Sequence, residues 1–112
     1  MYRVVNLEAG MPYVDQAIKR LTFEISMSTA QKVKALKIIH GFGSSGTGGR
    51  IRTEARKYLT SMKRRGKIKG FIEGERFSIF DAETRTALDA CPDLREDRDL
   101  ERSNNGVSII LL

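Results

Sequence analysis

The spacing of apolar residues changes along this chain, and each change predicts a new element of structure. Residues 4–7 and 35–39 are short runs rich in valine, leucine and isoleucine, which is typical of buried strands. Between Pro12 and about Met27, apolar residues recur at intervals of three and four, which places them on one face of an amphipathic helix. We therefore expect the chain to begin with a strand, a helix and a second strand.

The second half of the chain shows the same two periods. A helical pattern extends from about Arg50 to Arg65, and Gly66 is a suitable residue to end that helix. Residues 68–73 and 107–112 have the composition of strands. The order βαβαββ predicts an α/β fold, an α+β sandwich built on a mixed four-stranded sheet.

The long stretch between the last two strands is the least regular part of the predicted domain, which comprises residues 1–112. A short helix is expected from Asp81 to about Ala90, and residues 92–105 are polar and acidic. We therefore predict that residues 76–105 form an extended surface excursion that contains one short helix.

Composition limits the class of protein. Apolar residues make up 40% of the chain and charged residues 30%, as in folded soluble domains. No apolar run approaches the ~18 residues of a membrane span, and residues 1–6 lack the apolar stretch of a signal peptide. Cys91 is the single cysteine and cannot form an internal disulfide. We expect a cytoplasmic protein with no membrane partner that can act as a monomer.

Charge is distributed unevenly along the chain, whose net charge is +6. Residues 50–69 contain nine basic residues and one acidic residue, a local charge of +8. Residues 81–102 contain eight acidic residues and four arginines, a local charge of −4. A dense basic stretch attracts polyanions, because neutralised phosphates release their counterions. The alternative is a solvated helix face without a ligand.

Residues 40–49 contain five glycines and connect a predicted strand to a predicted helix. Backbone N–H groups converge at such a junction and can bind phosphate. The segment has no lysine at the position that nucleotide hydrolases require, and its spacing does not fit a dinucleotide-binding loop. A backbone phosphate of DNA or RNA is therefore the expected ligand. The predicted nucleic-acid-binding residues are Gly41, Phe42, Gly43, Thr47, Gly48, Arg50, Arg52, Arg56 and Lys57.

Three side chains of this region have more than one interpretation. His40, the single histidine, could bond a phosphate, act as a general acid, or hold the loop backbone in place. Phe42 could stack on a base or fold back onto the second helix. Arg56 lies one helical turn from Arg52, so the two charged ends are expected to project together, away from Ile51.

Three stretches of sequence together resemble the Smr (small MutS-related) family. Residues 36–43 resemble its strand motif ending in His-Gly-x-Gly, residues 47–52 its helix start, and residues 106–111 its final strand. The resemblance includes the whole chain. It implies a fold similar to the C-terminal domain of translation initiation factor three. It also implies binding to branched, nicked or folded nucleic acid and, in some members, endonuclease activity.

The first strand departs from the family pattern. Asn6 stands where many members have aspartate, and Glu8 stands where they have histidine or arginine. An amide is neither a general base nor an anionic metal ligand, so the alternative role of Asn6 is to bond the backbone at the strand end. Glu8 could act as an acid, a base or a ligand for a divalent metal such as magnesium. His40 and Glu8 are therefore the catalytic candidates.

Two functions from different classes fit these observations. The first is a nucleic-acid-binding domain with weak, structure-selective nicking of DNA or RNA. The second is a non-enzymatic adaptor that binds ribosomal RNA, another nucleic acid or an acidic protein. An enzyme acting on a small molecule fits least well, because the chain shows no paired carboxylates and no nucleophile with its base.

Overall fold

The computed structural model describes residues 1–42 and 48–112. Two single-turn 3-10 helices, at Gly74–Arg76 and Pro92–Glu96, flank the third α-helix. The main elements are β1 (Tyr2–Asn6), α1 (Val14–Ala30), β2 (Ala35–Ile39), α2 (Gly48–Arg64), β3 (Gly70–Glu73), α3 (Ala82–Ala90) and β4 (Val107–Leu111).

The four strands form one mixed sheet in the order β1-β2-β4-β3. β1 is parallel to β2, and β4 is antiparallel to both of its neighbours. The register aligns Asn6 with Ile39 and Ile39 with Val107. The α+β fold with a mixed four-stranded sheet, predicted from the order of the elements, is confirmed.

One face of the sheet packs against α1 and α2. The alternation of β2 sends Leu36 and Ile38 to this face, where both are fully buried. The predicted apolar faces of the two helices meet them there, with Leu21 and Leu59 fully buried. This core fixes α2 across the sheet, so that its first turns lie near the end of β2.

The other face of the sheet is covered by the segment 76–105. Phe77, Leu88 and Leu94 are buried against Ile109 of β4 and form a second core. The segment was predicted to be a surface excursion with one short helix. Its inner side chains, however, form a third layer, which its acidic composition did not suggest.

A buried cluster of charges joins this layer to the centre of the sheet. Lys37 of β2 is buried and donates to the Asp97 carboxylate at 2.9 Å, and it also pairs with Asp99. The Tyr2 hydroxyl donates to Asp97 at 2.8 Å. Burial, followed by this bond to Asp97, raises the pKa of Tyr2 to about 12. These acids are therefore paired, and they hold residues 97–99 against β2 and β1.

Several element boundaries differ from the sequence prediction by a few residues. α1 continues past Met27 to Ala30, because Ser28 is buried and accepts a hydrogen bond from Arg3 at 2.8 Å. β3 begins at Gly70 rather than at residue 68. Within the described residues, no helix is both long and apolar enough to cross a membrane.

Candidate nucleic-acid interface

Several chain segments converge at one end of the sheet, which we call the site edge. The parallel and antiparallel pairings bring the ends of β1, β2 and β3 together with the start of β4. The site edge is therefore formed by Asn6, His40, Glu73 and Val107, and α2 begins beside it. Those candidate residues that the structure describes belong to this end of the molecule or to α2.

His40 lies at the site edge with its ring fully buried. Its Nδ1 lies 2.8 Å from the carbonyl oxygen of Gly41, and its Nε2 lies 2.9 Å from Oγ of Ser108. The carbonyl is an acceptor, so a neutral ring carries its proton on Nδ1 and accepts from Ser108 through Nε2. Both ring nitrogens are occupied in this arrangement.

The surroundings of His40 favour the neutral ring. Burial is the largest effect and lowers its pKa to about 4, although the bond to Gly41 acts in the opposite direction. The positive charges of Arg56 and Arg52 lower the pKa further. Near pH 7 a histidine in this state lacks the second ring proton, which is the one that a general acid donates to a leaving group.

Arg56 joins the same buried cluster from α2. Its Nε donates to Oγ of Ser108 at 3.2 Å, and one terminal nitrogen donates to the carbonyl of Val107 at 3.2 Å. Its two terminal nitrogens also form a fork with the Glu75 carboxylate, at 3.0 and 2.8 Å. Only 13% of the Arg56 side chain is exposed. The expectation that Arg56 projects outward with Arg52 is therefore not met.

These residues form a connected set, which we call the inner cluster: His40, Ser108, Arg56 and Glu75. The Glu75 carboxylate is 39% exposed and marks the outer end of the cluster. Burial acts to raise the pKa of Glu75, but the hydrogen bonds from Arg56, a backbone hydrogen bond and the charges of Arg56 and Arg52 together leave the pKa below its ordinary value. The cluster ties α2 to β4 and to the turn after β3.

Gly41 and Glu8 meet at the surface of the site edge. Gly41 has a φ of +73°, which favours glycine. A side-chain carbon at this position would lie 2.6 Å from the carboxyl carbon of Glu8. The two catalytic candidates are thus brought to the same edge. Glu8 is partly exposed there, whereas His40 is buried behind Gly41.

Asn6 has the backbone role that its position at a strand end suggested. Its Oδ1 accepts a hydrogen bond from the backbone N–H of Glu8 at 2.8 Å. This is an Asx turn, which directs the chain away from β1. Asn6 therefore shapes the backbone that carries Glu8.

Phe42 is in contact with the backbone at Gly106. An added side-chain carbon on Gly106 would be 3.1 Å from a carbon of the Phe42 ring. The side chain is 55% exposed. One part of the ring is therefore supported by backbone while the rest is accessible to a ligand.

The remaining basic candidates lie on the outer surface of α2. Arg50 and Lys57 are exposed, and Arg52 is partly exposed. Arg52 and Lys57 line a groove between α2 and β3 that also contains Glu73 and Thr60. Lys57 forms a long, exposed ion pair with Glu54 at 3.7 Å. Such exposed pairs are weak and yield readily to a phosphate.

The structure describes only some of the other candidates in the glycine-rich loop. Gly48 is the first residue of α2. Gly43 and Thr47 lie outside the described residues. Across residues 1–42 and 48–112, no group of three histidine, cysteine, aspartate or glutamate side chains is arranged to hold a metal ion.

A comparison with solved structures finds the Smr domain of MutS2 from Thermus thermophilus, with a TM-score of 0.58. The two sequences are 17% identical, and the match covers 100% of this chain and 98% of that chain. The fold is that of an Smr domain. Comparisons with protein-family models and with curated proteins give no match. The likeness to an Smr fold implied by the sequence motifs is confirmed, whereas function has to be argued from the residues.

The partners that define the inner cluster are not evident from the sequence. Ser108 lies within an apolar strand, and a hydroxyl at such a position needs a hydrogen-bond partner. That requirement was the available signal. It does not identify the partner, because His40 is 68 positions away along the chain.

Proposed function

We propose that this protein is a nucleic-acid-binding domain that holds backbone phosphates on the outer surface of α2. The observation that carries the proposal is the exposure of Arg50, Arg52 and Lys57 on α2, with Arg52 and Lys57 in the groove beside Glu73. Among the described residues, none of these three side chains forms an ion pair with an acid at 3.5 Å or closer. Within the same residues, the only ion pair that any of them forms is the long one between Lys57 and Glu54.

The charge of α2 and of the segment after it supports the same function. Lys63, Arg64, Arg65, Lys67 and Lys69 are all exposed and extend the basic surface away from the site edge. Of these, only Lys63 has an acidic neighbour in the described structure, Glu83 at 3.9 Å. A row of exposed cations along a helix tracks a row of phosphates, and each contact releases counterions.

We favour binding without cleavage over a nuclease. A nuclease needs groups that activate a nucleophile and protonate the leaving oxygen. The burial of His40 and its lowered pKa argue against His40 as the group that protonates the leaving oxygen. The hydrogen bond of Asn6 to the backbone argues against Asn6 as the group that activates the nucleophile. Glu8 is the one catalytic candidate that is partly exposed at the site edge.

The geometry of the described residues gives little support to magnesium-dependent catalysis. The described residues do not assemble a set of three ligands, and Glu8 by itself is a weak anchor for a divalent cation. The non-enzymatic adaptor is therefore the form of the function that the geometry supports best. DNA and RNA are both candidate partners.

Binding can be measured by fluorescence anisotropy with a labelled single strand, a matched duplex and a structured RNA. If about five phosphates are engaged, log affinity should fall against log salt with a slope of roughly −4 to −5. A variant with Arg52→Ala and Lys57→Ala should bind more weakly. Arg20→Ala, an exposed arginine on α1, is the matched control. A flat salt response, or equal losses in both variants, contradicts the proposal.

Cleavage requires a separate assay, with supercoiled plasmid and structured RNA incubated with and without magnesium. We expect retention of the nucleic acid without nicking. Nicking by the parent protein that disappears in Glu8→Gln, purified identically, would establish the nuclease instead.

A further inference from the structure

A cleft at the site edge lies beside Phe42. It is formed between the Phe42 ring and the segment 98–105, and its volume is about 670 Å³. Arg98, Arg102 and Asn105 contribute to its lining. Residues 98–105 belong to the acidic excursion, where a basic site is not expected from composition.

The charge within the cleft is positive. Arg98 and Arg102 are exposed, and neither forms an ion pair with another residue of the described structure. The one acid of the lining, Asp99, pairs with buried Lys37 and accepts a hydrogen bond from Asn104 at 3.0 Å. Lys37 is shared between Asp99 and Asp97, so it compensates the charge of Asp99 only in part. Two arginines against this one acid still leave the lining positive. The neighbouring Glu101 carboxylate is bound to Ser78 at 2.7 Å, outside the lining.

The two walls of the cleft are held together by hydrogen bonds. The carbonyl of Gly106 accepts from the N–H groups of His40 and Gly41, at 2.9 and 3.0 Å. The N–H of Gly106 donates to the side chain of Asn104 at 2.9 Å. Phe42 and the segment 98–105 are thus connected through Gly106, and the cleft is formed before any ligand arrives.

We propose that this cleft holds one unpaired nucleotide of a bound nucleic-acid strand. The base stacks on the exposed part of the Phe42 ring, and Arg98 and Arg102 bind the phosphates that flank it. An aromatic ring beside unpaired cations matches the chemistry of single-strand binding. Bases inside a duplex are already stacked and do not reach such a ring. This inference rests on the proposed nucleic-acid function and assigns it a preference for unpaired strands.

The test compares a labelled 12-nucleotide single strand with a blunt duplex of the same length at one salt concentration. Phe42→Leu and the double variant Arg98→Ala with Arg102→Ala should each lower affinity for the single strand about fivefold or more. Affinity for the duplex should change less than about twofold, because we expect the phosphates of the duplex to bind the basic residues of α2. Arg20→Ala is the control, and circular dichroism verifies that every variant is folded.

Each outcome decides between the two proposals. If the parent protein binds neither the strand nor the duplex, the nucleic-acid function fails and this inference fails with it. If it binds both, and cleft variants weaken both equally or neither, only the inference is overturned. If an acidic peptide competes for the cleft of the parent protein and the single strand does not, the cleft is assigned to a protein partner instead.

Discussion

The inner cluster and the outer surface of α2 contain the same residue type one helical turn apart. Arg56 is 13% exposed, bonded to Ser108, Val107 and Glu75. Arg52 is partly exposed and lines the groove beside β3 without an ion pair in the described structure. The first arginine holds α2 on the sheet, whereas the second is available to a ligand.

This difference shows that a basic stretch is not one functional unit. A guanidinium whose donors are already occupied by protein acceptors has little to offer a phosphate, and its removal leaves those acceptors unpaired. The same reasoning applies to histidine. His40 sits in a loop typical of phosphate sites, but both of its ring nitrogens form hydrogen bonds within the protein. Substitutions in each region can test whether the two have separate roles.

The largest effect concerns the pH dependence of stability through His40. The pKa is about 4 in the folded protein and about 6.5 in the unfolded chain, so only the unfolded chain binds a proton between these values. Stability is therefore complete above pH 6.5 and is lost as the pH falls towards 4. The loss should amount to roughly 3 kcal/mol.

Urea denaturation between pH 7 and pH 4 measures this loss, and His40→Gln should flatten the curve across that range. Carboxylates with lowered pKa values, such as Glu75, lose their contribution only at lower pH. Proton NMR of the single histidine ring provides an independent reading without a mutation. A titration midpoint near 6.5 would show that the ring is not held in the inner cluster.

Arg56→Ala should reduce the free energy of unfolding by about 2 kcal/mol, because it leaves Ser108 and two backbone carbonyls without a donor. Arg52→Ala should change stability by less than about 0.5 kcal/mol. Chemical denaturation of the two variants provides the comparison. Equal effects would mean that the two arginines have the same role.

Gly41→Ala should destabilise the fold by about 1 kcal/mol, because a positive φ is strained for alanine. Part of the loss should come from the contact with Glu8. A double-mutant cycle with Glu8→Ala separates the two contributions. If Glu8→Ala restores nothing, the carboxylate is able to move away from Gly41 without cost.

The smallest effect is on binding through Arg52. Arg52→Ala should weaken nucleic-acid affinity about threefold at moderate salt and reduce the slope of log affinity against log salt by about one. Anisotropy titrations at several salt concentrations measure both quantities. An unchanged slope would remove Arg52 from the set of phosphate contacts.

The periodic elements could be predicted because their signal is local. The apolar faces of α1 and α2 and the short strands follow directly from residue spacing, and each was found within a few residues of its predicted bounds. The glycine-rich junction was recognisable for the same reason. Gly41 and Glu8 occur together at the site edge, as the parallel pairing of β1 and β2 requires.

Burial of polar side chains could not be predicted, because it depends on residues far apart in sequence. Lys37 interrupts a short apolar strand, and its partner Asp97 lies 60 positions later in a segment that looked solvated. Arg56 reaches Ser108 across 52 positions. A charged residue inside an apolar strand signals that a partner exists. Only the sheet order and the path of the excursion identify it.

The sheet order also affects how the protein can fold during its synthesis. β4 is made after every other strand, yet it lies between β2 and β3 and provides the pairing that connects them. At the usual rate of translation, the roughly 70 residues between β2 and the end of β4 take about 4 to 14 seconds to make. During that interval β2 has a bare edge and buried Lys37 has no acid beside it. A nascent chain in this state is open to mispairing, so it should benefit from a chaperone that covers the β2 edge until β4 arrives.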